Sequence, residues 1–289
     1  MGESGASTFS KTIGEAQREG AVRLKNAEIE NAALDARVLL AGCLKVEMAG
    51  LLSASSKLIG EELYQTYLEM IEERQTGKPV YRILGRREFY GRSFQFGKDC
   101  LEPRPETELL VERVLEDYKP GTPVLFGEIG VGSGVIACTL LAELPEAKAL
   151  GTDIAAGAIE ATRINGEILG VSSRLELHQT DCFKGIVERF DFIVSNPPYI
   201  ITSDIETLEK EVRLFDPAAA LDGGPDGFDI YRKILQQTHG ILNAGGRLYL
   251  ETGHGQHQQI VSMASEMGWG IVSTHLDLSG LERIVVLEA

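Results

Sequence analysis

Long apolar runs are missing from this 289-residue sequence, and none approaches the roughly 18 residues a membrane-spanning helix needs. No membrane association is therefore expected. Basic residues are scarce beside acidic ones: 28 Lys and Arg stand against 43 Asp and Glu, a formal charge of −15. Such a surface repels phosphate backbones and argues against a protein that coats nucleic acid without specificity. Cysteine is sparse as well. Cys43, Cys100, Cys138 and Cys182 lie far apart and form no CxxC pair, so no disulfide framework and no structural zinc are expected. The opening MGESGASTFSK lacks the charged-then-apolar order of a secretory signal. It also misses the myristoylation pattern, because Ala6 stands where Ser or Thr is required. Together these absences predict a cytoplasmic chain.

With 43 % hydrophobic and 25 % charged residues the chain is not mainly disordered. Residues 1–79 read as a small helical domain. Thr8 or Ser10 is expected to cap a first helix ending near Gly20. Ala33, Ala36, Val38, Leu39, Leu40 and Cys43 mark a second helix, and Leu63, Tyr67, Leu68 and Ile71 a third. No cofactor motif lies here, which suits recognition or support better than catalysis. Residues 80–104 change character: Phe89, Tyr90, Phe94 and Phe96, with glycines between, predict a β-hairpin connector. From 105 to 289 helices and strands alternate, including a helix expected over 229–243 and strands near 270–276 and 283–288. That alternation predicts an α/β domain, a parallel sheet with helices on both faces.

The segment Glu128-Ile-Gly-Val-Gly-Ser-Gly134 leaves a strand and enters a helix. Gly130, Gly132 and Gly134 let the backbone turn tightly and approach a ligand. The dinucleotide fingerprint wants glycine where Val135 stands, which favours a ligand without a pyrophosphate, such as S-adenosylmethionine. Asp153 ends the next strand, where a carboxylate can accept from a ribose diol or simply cap the following helix. Asp181 ends the third and is placed to receive an adenine amino group. Glu128, low in the same crevice, is a candidate for the methionine ammonium.

Ser195-Asn-Pro-Pro-Tyr-Ile200 follows the apolar strand FDFIV. Two prolines cannot continue a sheet, so the chain turns out at the edge where α/β proteins bind ligands. A planar amide or aromatic amine nitrogen has a delocalised lone pair and needs two fixed acceptors to aim it. The Asn196 side-chain oxygen and the Pro197 carbonyl, held by the rigid Pro197-Pro198 pair, supply them, and Tyr199 can stack on the flat group. These bonds strengthen as the nitrogen becomes positive, so no strong general base is required.

GxGxG, the Asp153 strand end and NPPY at 196–199 resemble the Rossmann-like, seven-stranded S-adenosylmethionine-dependent methyltransferases that act on planar nitrogens. NPPY is shared by adenine-amino methylators of DNA or RNA and by glutamine-amide methylators. GRREFYG at 85–91, PRPETE at 103–108, EVRLFDP at 211–217 and LDGG at 221–224 resemble the bacterial release-factor glutamine methyltransferases, the PrmC/HemK family. The related ribosomal-protein glutamine methyltransferases are less similar at PRPETE. The resemblance implies a substrate-recognising helical domain and, as partner and substrate, the GGQ-loop glutamine of class I peptide-chain release factors. It implies that Gly130, Gly132, Gly134, Asp153 and Asp181 hold the cofactor and that Asn196, Pro197 and Tyr199 grip the glutamine. Two positions depart from it. Cys182 stands where an aromatic residue is usual near the adenine, which makes Phe183 the expected flanking ring. Gly127 interrupts the first strand of the domain, where it is expected to mark a bulge. His254 and His257 lack a third ligand, so no metal site is expected there.

Overall fold

The computed structural model describes residues 9–277 and 279–289, and the chain divides between Gly85 and Arg86 into two compact units. The first unit holds helices α1 (Ile13–Asn26), α2 (Ala32–Leu44), α3 (Met48–Ala54), α4 (Glu61–Gln75) and α5 (Val80–Leu84). Of the two expected caps, Thr8 lies outside the described residues and Ser10 is not the cap. Thr12 is: Glu15 N–H donates to Thr12 Oγ1 at 3.2 Å, while Thr12 N–H donates to Glu15 Oε2 at 2.7 Å. Helix α1 runs on through Gly20, where a Cβ would collide with the Tyr67 hydroxyl. That glycine marks a close helix crossing, not a helix end. Leu24, Leu39, Leu40, Tyr67 and Ile71 fill the core of this unit. Helices α3 and α5, at seven and five residues, are too short to show a periodicity in the sequence.

The second unit opens with the hairpin β1 (Arg86–Phe89) and β2 (Arg92–Gln95), antiparallel and joined through Tyr90 and Gly91. Both turn residues have positive φ, the two-residue turn that matches strand twist. A 3-10 turn, Pro105–Thr107, leads into α6 (Glu108–Asp117). Then follow β3 (Leu125–Ile129), α7 (Val135–Glu143), β4 (Lys148–Asp153), α8 (Ala156–Ile168), β5 (Leu175–Gln179) and β6 (Phe190–Ser195). Short α9 (Lys210–Phe215) precedes α10 (Asp229–Thr238), β7 (Leu242–Glu251), α11 (His257–Glu266), β8 (Gly270–Leu276) and β9 (Glu282–Glu288). Helix α10 thus stops at Thr238, short of the expected residue 243, because Leu242 already opens β7.

Seven strands form one sheet in the order β5-β4-β3-β6-β7-β9-β8. The first five run parallel; β9 lies antiparallel to both β7 and β8. The link between β8 and β9 is far shorter than the dozen residues a parallel crossover needs, so their antiparallel pairing follows from length. Asp277 closes that link by accepting from the N–H groups of Ser279 at 2.8 Å and Leu281 at 3.0 Å. Side chains alternate between the faces of the sheet. Phe126, Phe192, Val194 and Val286 pack with Leu110 and Val111 of α6 and Ile136 and Leu140 of α7. Ile129, Ile193, Leu248, Leu250 and Val285 pack with Tyr231, Ile234, Leu235 and Ile260 of α10 and α11. Strand order reverses between β3 and β6, which places a crevice at their C-terminal ends. No described helix is long and apolar enough to cross a membrane.

Candidate active site

The crevice opens where β3 ends. Gly130, Gly132 and Gly134 all take positive φ, 76°, 54° and 77°. A Cβ on Gly130 or Gly132 would meet nothing within 4 Å, so the loop leaves its backbone bare toward the crevice. Gly134 serves packing instead: a Cβ there would lie 2.8 Å from Thr162 Cγ2 of α8. Asp153, at the end of β4, ties the loop down. Its Oδ2 accepts from Gly132 N–H at 3.0 Å and its Oδ1 from Ala155 N–H at 2.9 Å. Burial raises its pKa, and these backbone donors oppose the rise. Each oxygen retains a lone pair for a hydroxyl donor.

Glu128 sits beneath this wall, not on it. Its Oε2 accepts from Ala137 N–H at 2.8 Å in the first turn of α7, and its Oε1 is buried without a partner. Burial, with repulsion from Asp153 in addition, drives its pKa well above the usual carboxylate range. Glu128 thus anchors the helix that follows the glycine loop, with Oε1 left unpartnered.

Asp181 is held by Lys233 of α10, whose Nζ lies 2.9 Å and 3.3 Å from the two carboxylate oxygens. That ammonium keeps Asp181 below the usual carboxylate range. Cys182 takes a positive φ of 49° and faces the crevice, with its thiol pushed up to about 12 by burial and by Asp181. Phe183 turns the other way. Its ring is buried, stacked on Phe190 at 5.2 Å, and packed under β3. A Cβ on Gly127 would lie 2.5 Å from Phe183 Cζ. The register of β3 with both neighbours is continuous at Gly127, so there is no bulge. The two departures at 127 and 183 are therefore one feature: a missing side chain that makes room for a ring. Phe183 belongs to the core and does not flank the crevice.

A cavity of about 220 Å³ results, lined by Gly130, Gly132, Asp153, Asp181, Cys182, Asn196, Pro197 and Pro198. Asp99, Leu101, Ala220 and Lys233 complete it from segments the sequence did not single out. A second cavity, about 270 Å³, lies on the other side of the Asn196–Pro197 turn. Arg104, Glu106, Tyr199, Leu208, Val212, Glu251 and Arg283 line it. Asn196 and Pro197, with Leu101 and Ala220, line both as a shared wall, a layout suited to transfer between two molecules.

Several contacts fix that wall. Ser195 Oγ donates to the Ile129 carbonyl at 2.7 Å, binding β6 to β3. Asn196 Nδ2 donates to Thr107 Oγ1 at 3.0 Å, which turns the amide nitrogen toward the PRPETE segment. The Tyr199 carbonyl accepts from Gln256 Nε2 at 2.9 Å. Ile200 N–H donates to the Leu221 carbonyl, and Gly223 N–H to the Ile200 carbonyl, at 2.9 Å and 2.8 Å. A Cβ on Gly223 would lie 2.8 Å from Tyr199 Cα, so LDGG needs glycine to run beside NPPY. Asp216 of EVRLFDP is buried and accepts from Arg104 at 2.6 Å, which clips that segment over the second cavity. Burial raises the Tyr199 phenol and pushes Glu251 up to about 7.

Comparison with known proteins now bears on this arrangement. Residues 15–85 match the PrmC N-terminal domain family and residues 103–221 the methyltransferase small domain family. A release factor glutamine methyltransferase of Bradyrhizobium diazoefficiens is 38 % identical over 279 residues, 95 % of this chain and 94 % of that protein. Its counterpart in Cereibacter sphaeroides is 40 % identical over 94 % of this chain and 96 % of its own length. This chain belongs to the release factor glutamine methyltransferase family. It is an S-adenosylmethionine-dependent methyltransferase, and the glycine loop with two carboxylates on the first cavity's wall fits that cofactor. The ribosomal protein L11 methylase of Lactobacillus delbrueckii subsp. bulgaricus, at TM-score 0.50 and 18 % identity over 65 % of this chain and 81 % of that one, shares the fold.

The family segments PRPETE, EVRLFDP and LDGG converge around the shared wall. Thr107, Asp216, Glu251 and Gln256 were not singled out by sequence. Gln256 stands between His254 and His257, and nothing in that spacing marks its contact with Tyr199. Among the described residues no three His, Cys, Asp or Glu side chains gather as a metal site would require.

Proposed function

We propose that this enzyme, in the cytoplasm, methylates the side-chain amide nitrogen of the GGQ-loop glutamine of class I release factors. S-adenosylmethionine, when bound, supplies an electrophilic methyl group. In this reading the first cavity is its site: Gly130 and Gly132 give close backbone approach, Asp153 accepts from the ribose, and Asp181 and Cys182 border the adenine. The glutamine amide enters the second cavity. Asn196 Oδ1 and the Pro197 carbonyl accept its two N–H groups, and Tyr199 covers its face and excludes water. The acceptors gain strength as positive charge grows on nitrogen, so the barrier falls by orientation and electrostatics. The N–C bond forms as the sulfonium C–S bond breaks, S-adenosylhomocysteine leaves, and the methylated nitrogen, acidic once cationic, gives one proton to solvent. The helical unit, none of whose described residues lines either cavity, serves release-factor recognition.

The observation that carries this reading is the shared wall of Asn196 and Pro197, with Asn196 Nδ2 already engaged by Thr107 and its oxygen left to serve as acceptor. The names of the relatives favour a release factor over nucleic acid, as does the acidic surface. Incubation with methyl-labelled cofactor and a class I release factor is expected to label the factor once. Replacing the GGQ glutamine should abolish the label. Label that persists in that variant overturns the reading, and label on adenine in RNA or DNA, or on a ribosomal protein instead, replaces it.

A further inference from the structure

At the end of β7 stands a carboxylate to which the reaction described above gives no task. Glu251 is 4 % exposed, lines the second cavity with Asn196 and Tyr199, and keeps Oε2 without a hydrogen-bond partner. The Thr107 hydroxyl and the Asn196 side-chain amide lie near this carboxylate and favour its ionised form as hydrogen-bond donors. Asn196 Nδ2 also donates to Thr107 Oγ1 at 3.0 Å. An ionised carboxylate only accepts. Thr107 must therefore turn its proton to Glu251 and its lone pairs to Asn196, which must answer with NH₂. Reversing the amide would set its oxygen against the carboxylate and the hydroxyl lone pairs together.

We propose that Glu251 is a positioning residue for methyl transfer: through Thr107 it fixes the Asn196 amide so that Oδ1 is the atom offered to the substrate. The inference rests on the reading of Asn196 as an acceptor for the glutamine amide. The charged and titratable groups facing Glu251 are Arg283 from β9, Glu106 and Arg104 from the PRPETE segment, Tyr199, and Tyr231 from α10. Arg283 is shared with Asp277, to which its Nε donates at 3.0 Å. Burial pushes Glu251 up to about 7, Glu106 adds to the rise, and Thr107, Arg283 and Asn196 oppose it. Once protonated, Glu251 can donate; Thr107 can then turn round, and the amide loses its preferred side. Turnover therefore rises with pH through the neighbourhood of neutrality.

The test measures methyl transfer to a release factor, with cofactor affinity by calorimetry, in the full-length enzyme and in Glu251→Gln, Thr107→Val and Thr107→Ser. In Glu251→Gln kcat is expected to fall about tenfold or more, as misplaced catalytic groups do, with cofactor affinity unchanged. The rising limb near neutral pH should disappear with it. Thr107→Val should fall by a similar factor, Thr107→Ser should recover, and combining Glu251→Gln with Thr107→Val should cost little more than either alone. Wild-type kcat and an unchanged pH limb in Glu251→Gln would overturn the inference, as would full activity in Thr107→Val. If the wild type itself leaves the release factor unlabelled, the proposed function fails and the inference with it. A labelled factor beside an indifferent Glu251→Gln defeats the inference alone.

Discussion

The two cavities share a wall yet are built in opposite ways. In the first, the carboxylate that ties down the glycine loop is satisfied close by, Asp153 by Gly132 and Ala155 at separations of 21 and 2 residues, while Asp181 reaches 52 residues to Lys233. In the second, the side-chain contacts that fix the wall span long stretches of chain. Thr107 to Asn196 covers 89 residues, Arg104 to Asp216 covers 112, and Gln256 to Tyr199 covers 57. A strand–loop–helix unit yields the glycine-loop side of the first cavity, which is why that part recurs across proteins of different function. Only the completed fold yields the second, where the proposed function places the glutamine.

Asn196 lies on both sides of this division, so its removal tests the division hardest. Asn196→Ala is expected to lower turnover by a factor corresponding to roughly 3 kcal/mol, the worth of one oriented transition-state partner. Cofactor affinity should change only modestly. Single-turnover methyl transfer alongside calorimetry separates the two effects. A collapse of cofactor affinity with turnover intact at saturation would assign Asn196 to the first cavity.

Asp153→Ala makes the converse test. It removes a ligand group and the anchor of Gly132 together, and charge-assisted hydrogen bonds of this kind are worth about 2–3 kcal/mol. Cofactor affinity is expected to weaken by about a hundredfold, with turnover at saturating cofactor close to wild type. A large fall in turnover with affinity preserved would break the comparison.

Below the first cavity, Gly127 and Phe183 test whether its floor is core or ligand surface. Gly127→Ala places a methyl against the Phe183 ring, and overpacking of this kind costs typically 1–3 kcal/mol. Chemical denaturation should show that loss, and Phe183→Leu in the same chain should restore part of it. If the two substitutions add without coupling, the ring does not rest on Gly127 as described.

This pair also marks where sequence stops informing. The glycine loop, the strand-end carboxylates and NPPY were legible, because each is a local response to a strand meeting a turn. That Phe183 turns into the core was not, since burial of a ring depends on a gap left 56 positions earlier by Gly127. That Glu128 anchors α7 was not legible either, since its depth beneath the loop surface is not encoded in its spacing. Thr107 was hidden for a similar reason: nothing in PRPETE shows which side chain will meet position 196. Helix α1 was misplaced because Gly20 reads as a stop unless the Tyr67 hydroxyl above it is known.

The smallest expected effect concerns Lys233 and the rim of the first cavity. Lys233 Nζ lies 2.9 Å from Asp181, and both side chains are nearly half exposed, so solvent screens the pair and its contribution to stability is slight. Its effect is instead on protonation. The ammonium holds Asp181 below the usual carboxylate range, so the acceptor survives to lower pH than an isolated aspartate would allow. In Lys233→Met that pKa moves back up. Near pH 7 the carboxylate is ionised in both proteins, and cofactor affinity should differ by no more than about threefold. As pH falls toward about 4, Asp181 is protonated first in the variant, so the ratio of variant to wild-type Kd should rise. Calorimetric titrations across that range check the sign. A ratio that stays flat as pH falls would show that Asp181 contributes no acceptor to the cofactor, and the adenine end of the first cavity would then rest on Cys182 and its backbone.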